Sequence, residues 1–182
     1  WSEGHPEYRG AGVVDGHLNN SFSMSEHQGF LRVATTERSL AWTTSDTGDV
    51  IATNNTQNHL FVLALADADR DNRSLEIVGS VRGLAPGETV QSARFLGDRG
   101  FVVTFRQVDP LFAFDLSNPR DPQLKGELKI TGFSSYLHPL DRDHLLTVGP
   151  AGDDEGLTGQ LQIQVFDVAD LSNPVQAFSQ IQ

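Results

Sequence analysis

The sequence predicts an all-β fold assembled from repeats, and three observations predict it. The phrase FDLSNP at Phe114 to Pro119 nearly recurs as FDVADLSNP at Phe166 to Pro174, each copy after an alternating apolar stretch and before another strand-like run. Short apolar runs with a period of two are bounded by Gly, Pro, Asn and Asp along the whole chain. No segment shows convincing helical periodicity; Ala66 to Arg73 comes nearest and is too short and too charged. Repetition at about fifty residues signals one supersecondary unit stacked on copies of itself. The fold class that follows is all-β and β-propeller-like, with about three blade-like four-stranded antiparallel units.

The strands follow in order. Phe30 to Thr36 alternates cleanly, and Leu40 to Thr44 extends it; Asp46 to Asn58 is polar and reads as a connection with a short strand at Val50 to Thr53. His59 to Leu65 is a strongly apolar strand. The densely charged Asp67 to Arg73 is a solvated loop, and Leu75 to Val81 closes the first unit. Val90 to Leu96, a turn at Gly97 to Gly100 and Phe101 to Phe105 form a hairpin, followed by Leu111 to Leu116 and Leu124 to Ile130. The cycle restarts at Ser134 to Pro139, His144 to Val148, Leu161 to Val168 and Val175 to Ile181, with Gly149 to Gly159 as a flexible acidic loop. The organisation is an N-terminal arm or loop at 1–17 and a partial propeller domain at 18–182, with repeats at about 18–82, 89–131 and 133–182.

Composition narrows the function. The net charge is -11, from 24 acids against 13 bases. Such a surface repels phosphate backbones and anionic lipid, which argues against nucleic acid as a partner. With no cysteine, disulfides, thiol catalysis and cysteine metal sites are excluded. No run approaches the apolar length of a membrane span. The polar opening from Trp1 to Gly12 carries no leader and reads as the start of an excised or mature piece.

The segments FSMSEHQGFLRVATT (Phe22 to Thr36), the long block from Gly83 to Leu140 and the FDVADLSNP segment resemble the secreted bacterial and archaeal β-propeller domain proteins, distant relatives of WD-type propellers. The resemblance runs from about Leu18 to Pro174. It implies a propeller fold, export to the cell exterior or envelope, and no established activity or catalytic residue.

Candidate site residues come from the pattern itself. Asp115 and Asp167 recur at strand exits. There an Asx-turn to the following backbone N–H is the first reading, and a ligand contact the second. Asp170 is an alternative counterpart of Asp115, three residues on. Arg94, Arg106 and Arg32 interrupt apolar strands and so must pair or snorkel, with Asp98, Asp109 and Glu88 as the available acids, or else line an anion site in the axial channel. Ser134, Ser135, Tyr136 and His138, with Asp141, Asp143 and His144, hold the ingredients of Ser–His–Asp hydrolysis without a nucleophile elbow; His138 otherwise joins an internal polar network. Asp153, Asp154 and Glu155, like Asp67, Asp69 and Asp71, are loop carboxylates suited to Ca²⁺; no other cofactor is expected.

Three units are too few for an ordinary closed ring. Bare blade faces therefore predict self-association, for example two three-blade arcs closing a six-blade ring. The functional expectation is a non-enzymatic exterior module binding a protein or carbohydrate. A hydrolase or lyase acting at the channel through two of Asp109, Asp115, Asp141 and Asp143 is the alternative, and a domain supporting an attached partner is the third reading.

Overall fold

The computed structural model describes residues 8–66, 74–105, 109–130, 132, 134–153 and 156–182. Among the described residues, twelve strands form three four-stranded antiparallel sheets, each a meander in chain order. The first sheet holds β1 (Met24–His27), β2 (Phe30–Thr44), β3 (Val50–Leu65) and β4 (Leu75–Leu84). The second holds β5 (Thr89–Leu96), β6 (Arg99–Phe105), β7 (Asp109–Asp115) and β8 (Gln123–Ile130). The third holds β9 (Tyr136–Pro139), β10 (His144–Asp153), β11 (Gly156–Asp167) and β12 (Val175–Ile181). The all-β fold of propeller-like blades is therefore present.

Alternation within the strands sorts each sheet into two apolar faces. Ala34, Leu60 and Val62 of the first blade meet Ala93, Val102, Phe112 and Phe114 of the second. The opposite face of the second blade, with Phe101, Val103, Leu111 and Ala113, meets Leu137, Leu145, Phe166 and Val168 of the third. These side chains are buried between blades. A buried Thr36–Asn58 pair adds a polar tie: Thr36 Oγ1 donates to Asn58 Oδ1 at 2.7 Å and accepts Val90 N–H at 3.0 Å, carrying the first blade into the second.

The ladder registers align the three blades residue by residue. Phe30, Arg99 and His144 open the second strands opposite Ala64, Asp115 and Asp167 of the third strands. On this register FDLSNPRDP and FDVADLSNP match without a gap, and Asp167 is the counterpart of Asp115. Asp170, weighed as the alternative, is the counterpart of Asn118: it caps Ser172 N–H at 2.9 Å as Asn118 caps Arg120 N–H at 3.2 Å. The repeated LSNP letters sit at different structural positions, because strand pairing and not letter identity fixes register.

The same alignment shows how blades lock. Gly79 in β4 pairs with Val62 and sits under the turn Pro119–Pro122 of the next blade; a Cβ there would strike the Pro119 carbonyl and come within 2.7 Å of Pro122 Cδ. Gly126 in β8 pairs with Ala113 and sits likewise under Leu171–Pro174, with Pro174 Cδ at 2.9 Å from a Cβ. Each glycine lies beside a register shift, where the outer strand carries one extra residue and bends.

Two expected loops are ladders instead. The β2–β3 pairing runs unbroken from Phe30↔Ala64 to Thr44↔Val50, so the polar stretch from Asp46 to Asn58 is mostly strand. Its tip is closed by Ser45, whose hydroxyl accepts Asp49 N–H at 3.0 Å, with Gly48 at φ 86°. Thr and β-branched residues suit a two-sided exposed ribbon even without apolar alternation. β10 and β11 similarly extend to Asp153 and from Gly156, through the segment read as a flexible acidic loop. Residues 11–17 lie on the remaining face of the first blade. Ala11 bridges Ser74, His17 bridges Thr36, and Val14 packs with Val33, Phe61 and Leu63.

Gly126→Ala is expected to lower stability by about 3 kcal/mol, because the new methyl collides with backbone. Gly83→Ala, at φ +72 with nothing within 4 Å, is expected to cost about 1 kcal/mol of backbone strain only. Urea unfolding of both variants measures the difference; equal losses would contradict the glycine socket.

Candidate functional site

The first strand of each blade is its axial strand. β5 packs between β9 on one side and β1 with the 3-10 turn Ser21–Ser23 on the other. Around the start of β9 four side chains converge. The Arg94 guanidinium lies 4.1 Å from the Phe22 ring centroid and 5.4 Å from that of Tyr136. Its Nε donates to the Leu137 carbonyl at 2.8 Å, which fixes the plane of the group. Phe22 and Tyr136 meet edge to face at 5.7 Å. The Tyr136 hydroxyl is 3.2 Å from His138 Nδ1. Among the described residues Arg94 has no carboxylate partner. The result is a half-buried, oriented cation with aromatic walls and a Tyr–His pair beside it.

At the other end of the same strands the turns form a mouth. His27 and Gln28, Gly97 and Asp98, and Asp141 and Arg142 surround a cavity of about 620 Å³. A smaller cavity of about 150 Å³ opens between the first two blades against Arg32 and Asp98. Arg32 is 4 % exposed and donates to the Gly97 carbonyl and to Ser25 Oγ, with its Nε left without a partner. Burial pulls its guanidinium below the usual arginine range, while Glu26 and Asp98 oppose that shift.

The whole chain, residues 1–182, matches the family model described as a beta propeller domain. The chain belongs to the beta propeller domain family. Two archaeal relatives are similar to it: an uncharacterized protein of Methanocaldococcus jannaschii, 40% identical over 164 residues, and one of Archaeoglobus fulgidus, 41% identical over 168. The matches cover 90% and 92% of this chain but 23% and 22% of those proteins, so the chain spans less than a quarter of their length. No solved structure matches it.

In this propeller the candidates read from sequence separate into two groups. Arg94 and His138 come together through Tyr136. The acids go to turns. Asp115 accepts Ser117 N–H at 3.0 Å and Asp167 accepts Ala169 N–H at 2.9 Å, which is the Asx-turn role. Hydrogen bonds from Ser117 hold the Asp115 carboxyl below its usual range, with Lys125 contributing. Asp143 accepts from Arg99 at 3.3 Å, and the same guanidinium reaches the Arg142 and Val168 carbonyls, joining two blades. Among the described residues, Arg32 and Arg94 donate to backbone carbonyls, Asp98 acts on Arg32 through its charge, and Glu88 accepts from Thr104. A carbonyl already fixed in a neighbouring turn or strand needs no second side chain ordered to meet it.

No Ser–His–Asp chain forms among the described residues: Ser134 Oγ is buried without a partner, and His138 bonds to Tyr136. No group of three His, Asp or Glu suited to a metal occurs among them either. Arg106, Asp154 and Glu155 lie outside the described residues, as do Asp67, Asp69 and Asp71, and so do the side chains of Asp109 and Asp153. Sequence reading missed Phe22 as a wall of the site. Its signal was slight: an exposed aromatic just before a strand, 42% accessible.

Asp141 and His144 form the clearest titrating pair, with His144 Nδ1 at 3.0 Å from Asp141 Oδ1. Asp141 is held below its ordinary 3.8, first by the Asp143 N–H, and His144 is raised above its ordinary 6.5, first by its hydrogen bond to Asp141. The histidine contribution is complete below about pH 6.5 and fades as pH rises through the raised value; the aspartate contribution is complete above about pH 4 and fades on acidification. His144→Gln is therefore expected to reduce stability mainly between about pH 4 and 6.5 and little above pH 8. NMR titration of the His144 ring should show a midpoint above 6.5; a midpoint at or below that value would contradict the pair.

Proposed function

We propose that this propeller domain is a non-enzymatic interaction module of the cell exterior or envelope, and that its axial wall reads a carboxylate-bearing ligand through Arg94. The single observation carrying the ligand is the oriented, half-buried Arg94 without a carboxylate partner among the described residues. A planar guanidinium suits bidentate carboxylate recognition. The exposed parts of Phe22 and Tyr136 favour a ring-bearing anion, such as an acidic saccharide, over a bare ion. The net charge of -11 opposes long-range capture of anions, so recognition rests on short-range hydrogen bonds and a single sugar unit binds weakly.

The non-enzymatic reading is supported by the use of Asp115, Asp141 and Asp143 as turn and inter-blade acceptors. The exterior location rests on the resemblance of the sequence to secreted propellers. Association through an uncovered blade face, including with a second copy, belongs to the same proposal.

Titration with galacturonate, followed by the NMR signals of Tyr136 and His138, tests the ligand. Millimolar binding is expected, at least tenfold weaker for neutral galactose and for Arg94→Gln. Equal binding by Arg94→Gln, or none by the unaltered chain, would overturn it.

A further inference from the structure

The two contacts between blades place one charge differently. The ladder registers put Phe30 and Arg32 of β2 where Arg99 and Phe101 stand in β6. Asp98 stands where Asp143 does one blade later: the Asp98 carbonyl accepts Leu116 N–H as the Asp143 carbonyl accepts Val168 N–H. Between the second and third blades, Arg99 at the rim pairs with Asp143 at 3.3 Å, and Phe101 fills the interior at 0% exposure.

Between the first and second blades the phenyl and the guanidinium have changed places. Phe30 holds the rim, so Asp98 lacks the arginine that Asp143 has, and among the described residues its carboxylate makes no ion pair. Arg32 holds the interior position and is 4% exposed. Of its five N–H donors, one goes to the Gly97 carbonyl and one to Ser25 Oγ, and the Nε–H is buried without a partner. The cavity of about 150 Å³ lies at this exchange, lined by both charges and by the apolar Phe30, Val62 and Leu116. It shares Gln28 and Asp98 with the larger cavity at the mouth. Gln28, at φ 52°, takes the turn position that Gly97 holds at φ 55° in the second blade. That left-handed conformation favours glycine, yet an amide side chain is kept there, against both cavities.

We propose that this inter-blade cavity binds a small zwitterion, an α-amino acid of the size of glycine or alanine, with its carboxylate on Arg32 and its ammonium on Asp98. The inference goes beyond the Arg94 site and does not rest on it. Both walls belong to blades of this chain, on either side of one contact. A bare anion is opposed by Asp98 and Glu26, whose charges already act on the guanidinium, and a bare cation is opposed by Arg32. A zwitterion answers both separated charges at once, through charge-assisted hydrogen bonds in a site where an unanswered charge is costly. Having no net charge, it is not repelled by a chain of net charge -11. At roughly 30 Å³ per water-sized group the cavity holds about as many groups as glycine or alanine has non-hydrogen atoms, and the apolar wall suits the methyl of alanine.

Titration with alanine, followed in proton–nitrogen correlation spectra by the Arg32 Nε–H and the amides of Gly97 and Ser117, tests this. Millimolar binding is expected, at least tenfold weaker for propionate and for ethylamine, which each lack one charge, and for Asp98→Asn. The double variant Phe30→Arg with Arg32→Phe rebuilds the second contact in the first; it is expected to melt no lower than the unaltered chain and to lose alanine binding. No shift at roughly 50 mM alanine, propionate binding as tightly as alanine, undiminished affinity in Asp98→Asn, or binding kept in the folded double variant would each overturn the proposal. Shifts confined to Tyr136 and His138 would assign the alanine to the Arg94 site and overturn it as well.

Discussion

The structure depends on the seating of one blade's turn against a glycine of the blade before it. A β-sheet face is broad and roughly flat, and two such faces packed through side chains stand about 10 Å apart. At Gly79 and Gly126 the side chain is missing, and the backbone of the next turn comes down onto the strand. Leu116 and Val168 continue the same turns into the interior, their N–H groups bonded to the Asp98 and Asp143 carbonyls at 2.7 and 2.8 Å. Proline at the far end of each turn fixes the chain's direction as it leaves for the outer strand. Apolar burial supplies most of the driving force between blades, and the glycine contact sets their spacing and register.

This constraint orders the rest. It spends the repeated aspartates on turn geometry, which removes Asp115 and Asp167 from the list of groups free to bind a ligand. It places the first strands side by side, so that Arg94, Phe22, Tyr136 and His138 meet although they come from three different blades.

Much of this was legible in the sequence. The blade class followed from period-two alternation and the recurring FD phrase, both local signals. The long β2–β3 ribbon was not legible: an exposed two-stranded ladder rich in Thr and Asn lacks apolar alternation and resembles a polar loop. The letters LSNP left register open between Asp167 and Asp170 as the counterpart of Asp115; strand pairing selects Asp167, and Asp170 caps its turn at the position that Asn118 holds in the second blade. Of the axial site, Arg94 and His138 stood out because a charge or an imidazole in a strand demands a partner. Phe22 did not, since an aromatic beside a strand is ordinary core material until three blades are assembled around it. The socket glycines were equally silent, since Gly79 and Gly126 are spaced like turn residues and acquire meaning only against the following blade.

Hydrogen exchange at a concentration low enough to hold the chain monomeric tests the central claim most directly. β4, β8 and β12 are all outermost strands of their sheets, but only the first two have a following blade seated upon them. The account predicts that amides of β4 and β8 exchange through the global unfolding of the domain, whereas those of β12 exchange by local opening at a rate at least a hundredfold faster. Equal protection across the three strands would contradict it, because stability would then reside within each sheet and not in the contact between blades.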